Sequence, residues 1–112
     1  MNKYHPHLTQ EKWDKFTKFQ QILSVGAEIG RAKSMIMKTH YPEATTCYFR
    51  AIELIDMIVA TETWEKNLKE ILRYREMLAY AALQRNTDLD LCLSLYRVLL
   101  SWDKDAIKIE IN

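Results

Sequence analysis

Glycine and proline, the residues that break helices and open turns, are almost absent from this chain. Glycine occurs only at Gly26 and Gly30, and proline only at Pro6 and Pro42. A many-stranded β fold needs a turn every ~8–12 residues. So few breakers confine the chain to a few long helices joined by short connections. With 112 residues, 48% of them hydrophobic, it holds enough apolar material for one core without metal or disulfide staples.

Periodicity places the helices. After a polar lead-in over residues 1–8, Thr9 offers an N-cap, with Glu11 in the first turn. Trp13, Phe16, Phe19, Leu23, Gly26, Ile29, Ala32 and Ile36 then recur at spacings of three or four, one apolar face of a helix reaching about Lys38. Pro42 suits the first turn of a second helix, which carries Ala44, Cys47, Tyr48, Ala51, Ile52, Ile55 and Ile58. Thr61 or Thr63 caps a third helix with Trp64, Leu68, Ile71, Leu72, Leu78 and Ala82. Thr87, three residues before Asp90, resembles a capping box for a fourth, Leu89 to Trp102. Beyond it, Ile107, Ile109 and Ile111 alternate with charges in strand rhythm. The expected fold is all-α: one domain over 1–112, a four-helix, mostly antiparallel bundle with a short extended tail at 104–112. Turns should fall near 39–42, 60–63 and 85–88, and Tyr48, Ala51, Ile55, Leu68, Leu72, Leu95 and Leu99 should be buried.

Gly26 and Gly30 lie four apart inside the first helix. A Walker-type loop needs G-x-x-x-x-G-K-[ST] after a strand, and neither the spacing nor the context fits. Each glycine costs a helix about 1 kcal/mol relative to alanine. Close helix packing along a small-residue strip, joined by Ala32, Ala44, Tyr48 and Ala51, is the expected compensation; a kink at Gly26 is the other.

The formal net charge is +1, so composition gives no case for nucleic acid or an anionic membrane as partner. Cys47 and Cys92 are isolated thiols on apolar stretches, expected reduced and buried. No run approaches the ~18 apolar residues of a membrane span, and the N-terminus lacks an apolar leader core, so a cytoplasmic location is expected.

Residues 31–56 resemble a tetratricopeptide-type helical hairpin, through the mutual spacing of Ala32, Tyr41, Ala44, Tyr48 and Ala51. The phrase Y-P-E-A-T-T-C-Y-F-R-A-I-E-L is also similar to the second and third helices of microtubule-interacting-and-transport domains. No clean second copy follows at the ~34-residue period, although L-Y-R-V-L-L-S-W-D (95–103) echoes Y-F-R-A-I-E-L-I-D (48–56). The resemblance implies protein–protein scaffolding without catalysis.

Catalytic chemistry finds little support in the sequence. Di-iron bundles need Glu-x-x-His pairs, and none of His5, His7 and His40 has Glu three residues before it. His5-Pro6-His7 reads as a disordered terminus. Toxin–antitoxin bundles of the HEPN class use an Arg followed closely by His, a motif missing here: Arg31 precedes His40 by nine residues. Arg50–Glu53 and Glu28–Arg31 read as rim ion pairs at i,i+3. No catalytic, cofactor or metal residue is assigned. The expected function is a non-catalytic helical interaction module with a protein partner. The alternative is a HEPN-like bundle lacking the Arg/His motif that binds a nucleotidyltransferase or RNA.

The last helix is apolar nearly all round, which a single bundle does not cover. Leu91, Leu93, Leu100 and Trp102 are therefore the expected interface, reinforced by Ile107, Ile109 and Ile111. A homodimer is the commonest closure of such a surface; folding back of the tail is the competing one.

Overall fold

In a computed structural model of the chain, residues 2–84, 88–103 and Ala106 are described. All regular structure among them is helical: α1 (Gln10–Asp14), α2 (Lys18–Met37), α3 (Tyr41–Val59), a short 3-10 segment (Glu62–Asn67), α4 (Leu68–Ala82) and α5 (Leu89–Leu100). None of these helices is long and apolar enough to cross a membrane. The all-α expectation holds. Most of the expected turn at 85–88, with Thr87, and the tail residues Ile107, Ile109 and Ile111 lie outside the described residues.

The expected first helix is two helices. The break falls at residues 15–17, before either glycine, and α2 runs uninterrupted through Gly26 and Gly30. Its cause is a complete capping box: the Gln20 amide donates to Thr17 Oγ1 (3.1 Å), and the Thr17 amide donates to Gln20 Oε1 (2.9 Å). Two orphan donors are satisfied reciprocally, so α2 starts there. The consequence reaches Phe16, which is exposed rather than on the core face.

The other end of α2 closes in a Schellman-type turn. Thr39 takes φ 59°, the His40 amide donates to the Met35 carbonyl (2.8 Å) and the Thr39 amide donates to that of Ile36 (3.0 Å). Pro42 and Glu43 occupy the first turn of α3 as expected. Thr61 does not cap α4. Its hydroxyl donates to Met57 O (2.8 Å) and lies 2.9 Å from Asp14 Oδ1, tying α1 to the end of α3. Six residues of 3-10 helix intervene before α4 begins. Asp88 caps α5, accepting from the Asp90 (2.9 Å) and Leu91 (3.3 Å) amides.

In the packing, α3 lies between α2 and α4, and α5 rests mainly on α2. Ile22, Val25, Ile29, Ile55, Ile58, Ile71, Leu78 and Leu99 are fully buried. Tyr48, Ala51, Ile55, Leu95 and Leu99 are buried as expected. Leu68 and Leu72 are not; they are exposed, because α4 turns Ile71, Tyr74, Leu78 and Ala81 inward instead.

Candidate functional site

Helices α4 and α5 touch only sparsely, and the space between them is a groove of about 300 Å³. Leu91, Leu95 and Val98 form one stripe of α5 at helical spacing, continued by Trp102 in the turn past its end. Glu70, Arg73, Tyr74 and Met77 form the facing stripe of α4. Trp102 wedges the pair apart at one end, standing edge-on to Tyr74 (4.8 Å between ring centroids) and to Trp64 (5.9 Å). The one polar group deep in the wall is already engaged: the Tyr74 hydroxyl donates to the Leu95 carbonyl (2.7 Å). Its burial pushes the phenol pKa well above the ordinary range. What remains is carbon. Met77 and Val98 stay 45% and 47% exposed, and the exposed side chains Glu70 and Arg73 give the α4 rim its charge.

The expected interface is thus only partly brought together. Leu91 and Trp102 line this groove, half-buried. Leu93 is half-buried on the opposite side of α5, in a second groove against α2. Leu100 is a correction: it is fully buried, because α5 is covered on more than one side. Val98, Met77 and Tyr74 were missed, although Val98 follows Leu91 and Leu95 at i+7 and i+3 on the same helix face.

Gly26 meets α5 closely, its ideal Cβ position lying 3.5 Å from Tyr96 and 3.7 Å from Leu99. Those are ordinary contact distances, so even here a methyl group fits. Gly30 is a correction. Nothing lies within 4 Å of its Cβ position, and it borders the second groove, with Lys33, Met37, Leu93 and Tyr96, rather than a tight contact. Ala32, Ala44, Tyr48 and Ala51 are buried as close-packing residues should be. Gly30→Ala is expected to stabilise the fold by about 0.5–1 kcal/mol, the helix-propensity gain with no steric charge against it. A lower urea midpoint for that variant would show a contact at Gly30 that the structure lacks.

Charges converge at the other side of the molecule. The Tyr4 and His5 amides donate to Glu53 (2.9 and 2.8 Å), and His5 Nδ1 lies 2.9 Å from the same carboxylate. His5 Nε2 is 3.3 Å from Glu28, which Arg31 holds at 2.6 Å. Asn2 Nδ2 donates to the Leu8 carbonyl (3.0 Å). The lead-in is therefore strapped across α2 and α3, which corrects its reading as disordered. Glu53 is correspondingly engaged by the strap and not by Arg50, and Glu28 is buried, not at a rim. The two ring nitrogens face different carboxylates, so these donors do not converge on one point. The arrangement anchors chain.

Burial works to raise the Glu53 pKa, yet the hydrogen bonds from Tyr4 and His5 outweigh it and hold the carboxyl below its ordinary value of 4.5. A depressed carboxyl contributes stability that is present above its unfolded pKa and lost as pH falls through the folded one. Amide exchange protection at Tyr4 and His5 should therefore persist at neutral pH and drop as pH falls below about 4.5. Protection at Tyr4 and His5 that is the same in Glu53→Gln as in wild type at neutral pH would contradict the strap.

Cys92 is fully buried, its thiol 3.6 Å from the Ile29 carbonyl, and Cys47 is nearly so. Burial pushes both thiols up. No protein-family model, curated protein or solved structure matches the chain.

Proposed function

We propose that the protein is a non-catalytic helical interaction module, its helices packed as a mostly antiparallel bundle, whose docking surface is the α4–α5 groove. The observation that carries this reading is the groove itself: an apolar cleft between two helices, with its only deep hydroxyl satisfied internally and charges confined to the rim. Apolar centres with polar rims are the anatomy of protein–protein interfaces, and aromatic anchors such as Trp102 and Tyr74 supply most of the binding energy where they occur. The partner is a protein, and neither nucleic acid nor a membrane is part of the reading.

Self-association loses its main support. The four apolar residues of α5 do not form one uncovered patch, since Leu100 is in the core and Leu93 faces away from Leu91. The reading is therefore of a monomer. Val98→Asp in the full chain should abolish binding of the partner while leaving the helical circular dichroism unchanged. Ala27→Asp, on the exposed face of α2, should retain it. Equal retention in both variants would refute the groove as the docking surface.

A further inference from the structure

We propose that the second groove, between α2 and α5, binds a small amphiphile: an apolar body that ends in a single carboxylate. This site lies on the opposite side of α5 from the docking groove and stands independently of it.

Gly30 keeps the space open. It sits in the middle of α2, where glycine weakens a helix relative to alanine. Gly26 has Tyr96 and Leu99 packed on it, but nothing lies within 4 Å of the Gly30 Cβ position. No packing contact therefore offsets the weaker helix. A side chain at 30 would instead stand in the groove, whose volume is about 320 Å³. Small-molecule pockets occupy ~300–1,000 Å³.

The lining is divided as an amphiphile requires. Ile29 and Cys92 are fully buried and Leu93 is half-buried, which makes the floor apolar. Tyr96 closes one end by lying against Gly26, and Met37, 65% exposed, stands at the other. From Gly30 to Met37 the helix rises about 10 Å at ~1.5 Å per residue. The flexible thioether of Met37 can adapt to whatever apolar body lies there.

The polar groups of the lining are the ammonium of Lys33 and the hydroxyls of Ser34 and Tyr96. Among the described residues, none of the three has a hydrogen-bond or ion-pair partner. Burial pushes the Cys92 thiol up and the Lys33 charge works against it, so the field of the ammonium reaches the floor. None of the lining residues is acidic, so nothing in the groove repels an anion. An ammonium gives a carboxylate a charge-assisted hydrogen bond, and the two hydroxyls can donate as well. One cation matches one negative charge. A neutral ligand would leave Lys33 unmatched, and a dianion would exceed it.

Titration of the full chain with sodium decanoate below its micellar concentration, followed by amide chemical shifts, tests the site. Decanoate should give saturable shifts centred on Gly30, Lys33, Leu93 and Tyr96, and 1-decanol should bind more weakly. Lys33→Gln should weaken decanoate about tenfold, as expected for one lost charge-assisted hydrogen bond. The same change should leave decanol binding as it was. Gly30→Leu should abolish binding of both probes while its urea midpoint stays at or above that of wild type. Val98→Asp, on the other groove, should bind decanoate as wild type does. Absence of saturable shifts in the wild-type chain would overturn the proposal. So would undiminished decanoate binding in Gly30→Leu, or decanoate affinity unmoved by Lys33→Gln.

Discussion

Trp64→Ala should destabilise the fold by about 3–5 kcal/mol, a large part of what a small domain has. The side chain is 1% exposed and sits where α2, the 3-10 segment and Trp102, just past the end of α5, meet. Its indole donates to Gln21 Oε1 (2.6 Å), and Gln21 Nε2 in turn donates to the Trp13 carbonyl (3.0 Å). Removing the ring therefore opens a cavity and also orphans a buried amide oxygen. The two costs separate experimentally. Trp64→Phe keeps most of the volume and loses only the donor, for about 1–3 kcal/mol. Urea denaturation reads both variants. A Phe variant as unstable as the Ala variant would place the energy in the hydrogen bond, and one matching wild type would show that Gln21 finds another partner.

Leu99→Ala should cost about 2–5 kcal/mol, and Leu72→Ala should stay within about 0.5 kcal/mol of wild type. Leu99 is fully buried where α5 crosses Gly26, whereas Leu72 is 43% exposed on α4. The comparison decides which face of α4 and α5 is the core. Sequence spacing alone made both leucines core residues. Similar losses in the two variants would mean that α4 is rotated from the position described.

What the sequence made legible were the elements whose apolar stripe agrees with their local signals. In α3 the run from Ala44 to Ile58 follows a proline and a glutamate, and the helix starts there. In α5 the apolar count showed that the helix is covered on several sides, but not by what. Leu100, expected at an interface, is covered by the core itself. The break between α1 and α2 hid behind its own periodicity. Trp13, Phe16 and Phe19 keep a three-residue spacing straight across the gap, and the local signal that marks it, Thr17 with Gln20 three residues on, went unread beneath that stripe. The phase of α4 was illegible for another reason. The 3-10 turn before Leu68 has three residues per turn, so counting at 3.6 from Trp64 draws in Leu68 and Leu72 and passes over Tyr74 and Ala81, while Ile71, Leu78 and Ala82 are buried as expected.

The strap at His5 had no local signal at all. Its carboxylate partners come from α2 and α3, and only folding brings them to the lead-in. The α4–α5 groove falls between these extremes. Leu91 and Trp102 were readable as uncovered, but the half of the site on α4 depends on how far α4 and α5 stand apart, which is set by Trp102 lodging against Tyr74 and Trp64. A residue's apolar character is local, and the gap between two helices is not.

The central claim is that the α4–α5 groove is where this chain meets other chains. A photo-crosslinking amino acid at position 98 of the full chain, irradiated in extract from the source cells, tests it most directly. The account predicts one defined protein adduct from position 98 and none of it from position 27. The same adducts from positions 98 and 27, or none from 98, would contradict it.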